Sequence, residues 1–132
     1  MKRREVLKAI LALPILPFLL PKPGRTAPPR KKPPLLLATL IAGFQYYDGE
    51  KLLPMLREGQ PLRLVREKAN HHDDRAIAVY RKEHKLGFIP RADNSVLAGL
   101  MDEGYTLKGE IGWIDRDAAP WEKVGVLVGM EG

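Results

Sequence analysis

The sequence predicts a mainly β fold: a small, strongly curved antiparallel barrel of the OB or SH3 type, with about six strands and one or two short helices. Three observations predict it. From Leu35 onward, short runs of strand-forming residues alternate with turns rich in Gly, Pro, Asn and Asp. One well-patterned helix interrupts these runs. Glycines also lie within the last two strand segments, where small barrels need bulges or sharp coiling: Gly109, Gly112, Gly125 and Gly129.

Four strands are predicted before the helix. They cover residues 35–44, a stretch from Leu62 to the polar loop that begins at Asn70, residues 76–80 and residues 85–89. The first is apolar almost throughout, which indicates a central strand. Between the first and second strands, residues 51–57 are expected to form one or two helical turns, limited by Pro54.

The helix is predicted from Ser95 to about Glu103. Asp93 and Asn94 offer N-cap side chains, and Gly104 lies where a left-handed residue commonly ends a helix. Four residues at helical spacing form its apolar face: Val96, Leu97, Leu100 and Met101. Two final strands are predicted, over residues 106–115 and 121–130.

The chain before Leu35 divides into a leader and a linker. Residues 1–20 contain a charged start and a twelve-residue apolar run, which is shorter than the roughly 20 residues that cross a bilayer. Arg3 and Arg4 precede one variable and two apolar residues, as in a twin-arginine signal. We therefore expect an export signal or N-terminal anchor, and a periplasmic or membrane-anchored protein. A cytoplasmic location is expected if the leader is not functional.

Residues 21–34 contain six prolines and five basic residues, a composition typical of an extended linker. The folded domain is then predicted over residues 35–132. The formal net charge of +6 belongs to the first part of the chain. Nine basic residues and one acidic residue up to Pro34 give +8, whereas 13 basic and 15 acidic residues after it give −2. Net charge thus gives no support for a phosphate-binding domain, although a local basic stripe remains open.

The chain lacks the residues that several kinds of metal site and active site require. The chain has no cysteine, which excludes disulfides, thiolate zinc sites and a nucleophilic thiol. It has neither a glycine-rich phosphate loop ending in Gly-Lys-Ser/Thr nor a Ser–His–carboxylate pattern in a recognisable context. We expect no enzymatic activity and no cofactor.

The polar loop at residues 70–74 separates the second and third strands and has the sequence Asn-His-His-Asp-Asp. Loops held by core strands often carry binding groups. The alternative, which the spacing favours, is a surface turn whose Asn and Asp side chains cap their own backbone. His71, His72 and Asp73 form only a weak metal pattern, because a metal site needs three or four ligands at suitable spacing.

Three ordered blocks carry a family resemblance. Residues 42–49 read Ala-Gly-Phe-Gln-Tyr-Tyr-Asp-Gly, and residues 86–91 read Leu-Gly-Phe-Ile-Pro-Arg. Between them, residues 64–79 read Leu-Val-Arg-Glu-Lys-Ala-Asn-His-His-Asp-Asp-Arg-Ala-Ile-Ala-Val. Together they resemble the HIRAN domain, a module of fork-remodelling, helicase-like DNA translocases and of small bacterial proteins. The resemblance spans roughly residues 38 to 130.

The resemblance implies an OB-like barrel that, in the helicase-like members, grips the 3′-hydroxyl end of single-stranded DNA. Tyr46 and Tyr47 match a tyrosine pair that meets the terminal bases and the backbone. Asn70 and Asp73 match the polar pair of the end pocket, where a carboxylate accepts from a terminal hydroxyl. The nucleic-acid-binding residues expected from the resemblance and its chemistry are Tyr46, Tyr47, Asn70, His72, Asp73, Arg75 and Arg91.

The chain departs from the helicase-like pattern at several positions. Gln45 replaces an arginine, which removes a phosphate contact, and Lys68 replaces a proline. Residues 71–72 replace a Pro–aromatic pair, so a base would stack less strongly on His72 than on tyrosine. Structural roles are also open for Tyr46 and Tyr47, as an amphipathic pair, and for residues 66–67, as an ion pair or turn anchor.

Two functions follow from these patterns. The first is a non-catalytic module, expected to be monomeric, that recognises single-stranded DNA 3′ ends, or other nucleic acid, by aromatic stacking and a polar end pocket. The alternative is an exported interaction module that keeps the HIRAN barrel but binds a protein or an envelope ligand. The leader would engage the export machinery or the membrane in either case.

Overall fold

Antiparallel pairing between neighbouring strands builds the fold of residues 34–131, the part of the chain that the computed structural model describes. Six strands form one sheet: β1 (Leu35–Leu40), β2 (Pro61–Glu67), β3 (Ala76–Arg81), β4 (His84–Phe88), β5 (Leu107–Ile114) and β6 (Val124–Met130). The helices are α1 (Gly49–Leu52) and α2 (Ser95–Asp102). The predicted mainly β fold is confirmed.

The leader and most of the linker lie outside the described residues, and with them the predicted signal residues Arg3 and Arg4. Between residues 34 and 131, no helix has the length and apolar character needed to span a membrane.

The strand order is β1-β6-β5-β2-β3-β4, which places β1 at an edge of the sheet. The prediction of a central strand over residues 35–44 is therefore wrong, and the strand also ends earlier, at Leu40. Leu35 is 61% exposed, whereas Leu37 packs against the core and Ile41, just after the strand, is fully buried. An apolar run does not require burial on both faces, because folded proteins leave much apolar surface in contact with water.

The sheet curls until the chain after one edge strand, β1, meets the other edge strand, β4. Just after β1, Ala42 pairs with Phe88 at the end of β4. The Ala42 amide donates to the Phe88 carbonyl at 2.8 Å, and the Phe88 amide donates to the Ala42 carbonyl at 2.9 Å. Gly87 permits this approach, because its φ is +150° and a Cβ there would lie 2.3 Å from the Ala42 oxygen. The result is a strongly curved, barrel-like sheet.

A tight turn follows this bridge and presents the tyrosine pair. Gly43, with φ +72°, begins the 3₁₀ turn Phe44–Tyr46. The Phe44 ring is buried in the core and anchors the turn, while Tyr46 and Tyr47 remain exposed. The helical turns predicted over residues 51–57 are present, although they begin earlier, as α1 and the 3₁₀ turn Leu53–Met55.

The predicted glycine bulge occurs in the β5–β6 hairpin. The register shifts between Ile111 and Trp113, so Gly112 lies at the irregularity. A Cβ on Gly112 would lie 2.7 Å from the Leu127 side chain. The second of these strands begins at Val124 rather than residue 121, because Pro120–Glu122 forms a 3₁₀ turn.

Helix α2 confirms its predicted start and its glycine stop. Gly104 has φ +98°, and its amide donates to the Met101 carbonyl at 3.1 Å. The predicted apolar face is partly wrong, because Val96 is 73% exposed and Ala98 is buried instead. Asn94 occupies the N-cap position but makes no side-chain cap hydrogen bond.

The core lies between the inner face of the curved sheet and the elements that cover it. It combines β-branched residues of the central strands with side chains from the turn after β1, from α2 and from its flanks. Fully or almost fully buried members include Ile41, Phe44, Ile77, Val79, Leu86, Ile89, Ile111, Val126 and Val128.

We expect Gly87→Ala to destabilise the domain. The added Cβ would collide with the Ala42 carbonyl, and the φ of +150° is unfavourable for alanine. Strain and overpacking together should lower the free energy of unfolding by about 2–4 kcal/mol. Urea unfolding followed by tryptophan fluorescence measures this change.

The matched control is Gly99→Ala in α2, where a Cβ would have no neighbour within 4 Å. This substitution should raise the free energy of unfolding by about 0.5–1 kcal/mol, because glycine is unfavourable inside a helix. Equal effects at the two positions would contradict the role assigned to the bridge.

Candidate nucleic-acid interface

A pocket of about 260 Å³ opens where the turn after β1, the polar loop between β2 and β3, and the end of β4 meet. Its residues come from separate stretches of the chain: Ala42, Tyr47, Asn70, His72, Asp73, Ala76, Phe88, Ile89 and Arg91. One side is aromatic and apolar, and the other carries an amide, a carboxylate and a guanidinium. Five of the predicted site residues therefore lie together.

Hydrogen bonds within the polar loop determine its shape. Asn70 Oδ1 accepts from the backbone amides of His72 at 2.9 Å and Asp73 at 3.1 Å. Asp73 Oδ1 accepts from the Arg75 amide at 3.0 Å. The interpretation in which Asn and Asp side chains cap their own backbone is confirmed. The same two side chains line the pocket, so turn formation and exposure to a ligand are compatible.

The Asp73 carboxylate is held as an anion. Its Oδ2 accepts from Asn94 Nδ2 at 2.7 Å, and Asn94 is only 2% exposed. The Arg75 amide is the main cause that lowers the pKa of Asp73, followed by the Asn94 amide, while burial opposes both. Each carboxylate oxygen can accept more than one hydrogen bond, so Asp73 retains acceptor capacity toward the pocket.

Two rings form the aromatic side of the pocket. Tyr47 and Phe88 meet edge to face, with centroids 5.7 Å apart and planes at 70°. Lys85 Nζ lies 4.2 Å from the Phe88 centroid and 5.0 Å from the Tyr47 centroid. Glu67 accepts from Lys85 Nζ at 3.1 Å and from Asn70 Nδ2 at 3.1 Å. The rings and the polar loop are thus connected through one carboxylate.

Arg91 ties the loop to the chain that follows β4. Its guanidinium donates to the His72 carbonyl at 2.8 Å. A guanidinium has five N–H donors, so most of them remain available for other acceptors. Arg91 also helps to lower the pKa of Asp73 by its positive charge.

Other predicted residues lie outside the pocket lining. Tyr46 is 78% exposed on the turn after β1, and the Arg75 guanidinium donates to Ser95 Oγ at 2.9 Å. His71 is exposed on the loop and does not line the pocket. Across residues 34–131, no three His, Asp or Glu side chains come together in a way that could hold a metal ion.

Residues 66–67 have the structural roles that were left open. Glu67 anchors Asn70, as described, and Arg66 Nε lies 3.1 Å from Asp102 Oδ1 in α2. They do not pair with each other. The Arg66 guanidinium also donates to the Ala76 carbonyl, which fastens the end of the hairpin to the helix.

Sequence reasoning missed several residues at the site. Phe88 lies in the third motif block but is not among the predicted binding residues, Lys85 is predicted only as part of a strand, and Asn94 only as a helix cap. Trp121 is 56% exposed, on a turn that packs against Phe44–Tyr46. Residue 121 begins the last predicted strand, so no sequence signal indicates that Trp121 is exposed on a turn. The bond from Asn94 to Asp73 joins residues 21 positions apart and also has no local signal.

Comparison with known protein families assigns the domain to one of them. The family model of the HIRAN domain matches residues 36–128. The chain belongs to the HIRAN domain family. Membership supports nucleic-acid binding and a binding rather than a catalytic role. No curated protein sequence is significantly similar to the chain.

Two crystal structures resemble this HIRAN domain. A protein from Lactobacillus plantarum is 33% identical, with a TM-score of 0.64, and the match covers 73% of this chain and 92% of that one. The HIRAN domain of human HLTF is 19% identical, with a TM-score of 0.59, and the match covers 71% of this chain and 73% of that one. At that identity, the likeness to the human domain shows the shared fold alone.

We expect the Asp73 carboxylate to stabilise the fold in a pH-dependent way. Its pKa is lowered from 3.8 in the folded state, so the unfolded chain binds the proton first as the pH falls. Its stabilisation is fully present above pH 3.8 and is lost as the pH falls through the folded-state pKa. The free-energy gap between the wild type and Asp73→Asn, measured by urea unfolding, should therefore narrow in acid.

Asp74→Asn is the matched control, because Asp74 is exposed and makes no hydrogen bond or ion pair among residues 34–131. The free energy of unfolding of Asp74→Asn should differ little from that of the wild type, because this side chain has no partner within residues 34–131 to lose. If the difference in free energy of unfolding between the wild type and Asp73→Asn did not change with pH, the Asp73 carboxylate would not be stabilised by its partners.

Proposed function

We propose that this HIRAN domain binds single-stranded nucleic acid, with the 3′ end of the strand in the pocket between Tyr47 and Asp73, and that it acts without catalysis. The observation that carries the proposal is the convergence of an aromatic wall, a carboxylate and a guanidinium on one pocket. These residues also lie in the sequence blocks that resemble the family.

The aromatic wall supports stacking of the terminal base. Tyr47 and Phe88 offer ring surface in a pocket that Ala42 and Ala76 also line. Base–aromatic stacking contributes about 1–3 kcal/mol per base and tolerates any base, because every base has a π face. Tyr46 and Trp121 are exposed on adjoining turns and provide further ring surface outside the pocket.

The carboxylate supports recognition of an end. Asp73 is an anion with acceptor capacity left, so it can accept a hydrogen bond from a terminal 3′-hydroxyl. A phosphate that continued the strand past this point would meet a negative charge. Because Asn94 and the Arg75 amide hold Asp73 in place, its carboxylate cannot easily turn away from that phosphate.

A guanidinium at the pocket supports contact with a preceding phosphate group. Arg91 keeps free N–H donors after bonding to His72, whereas the charge of Lys85 is offset by Glu67, whose carboxylate lies 3.1 Å from its Nζ. The net charge of −2 after Pro34 limits general attraction to phosphate, so stacking and end recognition must contribute much of the affinity.

The decisive experiment compares two short, 5′-labelled single strands, one with a free 3′-hydroxyl and one with a 3′-phosphate, by fluorescence anisotropy. We expect the wild type to prefer the hydroxyl. The basic tail, with +8 up to Pro34, would attract the added phosphate, so it cannot produce this preference. Asp73→Asn should abolish the preference because it removes the repelling charge.

Tyr47→Ala should weaken binding of the hydroxyl strand about 5- to 150-fold, which corresponds to loss of one stacked base. Val96→Ala, at an exposed position on α2 outside the pocket, should leave binding unchanged. If the folded wild type shows no preference between the two strands, the end-binding proposal is wrong.

The leader favours a second candidate function, which we also propose as a hypothesis: an exported module that binds a protein or an envelope ligand. Arg3 and Arg4 before an apolar run are the observation behind it. Fractionation of the cells that produce the protein tests this candidate. A folded domain outside the cytoplasm that binds neither labelled strand would support it, and recovery of the full-length chain in the cytoplasm would count against it.

A further inference from the structure

The outer face of β2, β3 and β4 continues from the pocket to the far side of the hairpin. In antiparallel sheets, directly opposed residues point to the same face. Ala78 is opposite Phe88, Tyr80 is opposite Lys85, and Arg63 is opposite Tyr80. The register therefore places a phenylalanine, a lysine, a tyrosine and an arginine on one face, in order of increasing distance from the pocket.

Aromatic rings and cations are paired along this face. Lys85 lies over Phe88 and Tyr47 at the pocket, as described. At the far end, Arg63 Cζ lies 4.7 Å from the centre of the Tyr80 ring. The Arg63 guanidinium also donates to the Lys82 carbonyl at 3.2 Å, which uses one of its five N–H donors. A positioned guanidinium with free donors beside a ring is a combination that contacts both phosphate and base.

A small side chain, Ala78, separates the Phe88 and Tyr80 positions on this face of β3. Ala78 is completely buried, and its cross-strand neighbour Val65 is half-buried. Because Ala78 has no exposed surface, a strand crossing the sheet would contact the rings and the Lys85–Glu67 ion pair, which joins β4 to β2 at 3.1 Å. The Glu67 carboxylate on this face already accepts from Lys85 and Asn70, which offsets its charge.

The distances suit a nucleic-acid strand that leaves the pocket. Adjacent strands of a sheet are about 4.8 Å apart, so crossing from β4 to β2 takes about 10 Å. A stacked strand advances about 3.4 Å per nucleotide, and the crossing therefore corresponds to about three nucleotides. OB-type folds contact about 4–16 nucleotides, which leaves room for the pocket and this face together.

We infer that Tyr80 and Arg63 form a second subsite for single-stranded nucleic acid, about three nucleotides from the strand end held in the pocket. A base stacks on the Tyr80 ring and a phosphate pairs with the Arg63 guanidinium. The inference rests on the proposed function, since the pocket determines where the strand begins. An exposed cation–π pair stabilises a hairpin by about 0.5–1 kcal/mol, and a purely structural pair would show no dependence on ligand length.

The test uses the full chain and 5′-labelled oligothymidylates of about three and about eight nucleotides with free 3′-hydroxyls. The measured quantity is the ratio of the long-strand to the short-strand affinity in each variant. The basic tail is the same in every variant, so it cannot cause a difference in this ratio between them. We expect Tyr80→Ala and Arg63→Ala to weaken binding of the long strand about 5-fold or more. Binding of the short strand and the preference for a 3′-hydroxyl should stay as in the wild type.

Two matched controls are available. Arg81→Ala removes an arginine at the next position of β3, where side chains point to the other face. Tyr105→Ala removes an exposed tyrosine that follows α2. Both should retain the wild-type ratio. Arg63→Lys separates charge from shape, and we expect it to recover only part of the lost affinity, because an ammonium cannot pair in the planar manner of guanidinium.

Unchanged or uniform effects of the two substitutions overturn the inference, and so does loss of all binding. If Tyr80→Ala and Arg63→Ala keep the wild-type ratio, or weaken both strands equally, the second subsite is wrong while end binding in the pocket stands. If Tyr80→Ala unfolds the domain, Arg63→Ala at its exposed position decides the question alone. If the folded wild type binds neither strand, the proposed function fails and this inference fails with it.

Discussion

The backbone pairing between Ala42 and Phe88 is the contact on which the candidate site depends. It joins the chain after the first edge strand to the other edge of the sheet, and it requires a glycine at position 87 because no Cβ fits against the Ala42 carbonyl. Together with the Asp48 amide, which donates to the Lys85 carbonyl at 3.0 Å, this closure fixes the turn that carries Tyr47 relative to β4. The Tyr47 and Phe88 rings meet because two backbone hydrogen bonds hold their segments together.

The polar loop shows how one set of side chains serves both folding and recognition. Asn70 and Asp73 satisfy backbone amides of their own turn, and Asn94 satisfies Asp73 in place of capping its own helix. These bonds remove rotational freedom from the carboxylate before any ligand arrives. A preorganised acceptor loses less entropy on binding, so the turn chemistry contributes to affinity rather than competing with it.

Charge is distributed along the chain in a way that separates attraction from recognition. The segment up to Pro34 carries +8, whereas the residues after it carry −2. Within the domain, the cations that matter are placed over rings: Lys85 over Phe88, and Arg63 over Tyr80. Glu67 offsets the charge of Lys85 on the face itself. The total charge of the domain conceals the arrangement around Arg63, because distant acidic residues cancel its charge in the sum while the Debye length limits their influence on the face.

Local patterns in the sequence determined the class of fold, the number of strands, α2 and its glycine stop. Alternation, helical spacing and turn residues are properties of neighbouring positions, and they survive in the folded chain. The three motif blocks likewise determined the family and five of the pocket residues, since their order along the chain is specific even without coordinates. The sequence could not decide whether residues 70–74 form a binding loop or a self-capping turn, because both need the same residues at the same spacing.

Only the tertiary structure decided which strand lies at the edge, where Asn94 directs its side chain and which rings share a face. Residues 35–44 looked central because the apolar run cannot show whether a second strand lies beside it. The pairing of Arg63 with Tyr80 and of Tyr80 with Lys85 depends on hairpin register, and a shift of one residue would place these side chains on opposite faces. Sheet order is set by contacts between distant segments, and the register of the β3–β4 hairpin depends on its turn and on an irregularity at Val79–Tyr80, which alternation along the sequence does not reveal.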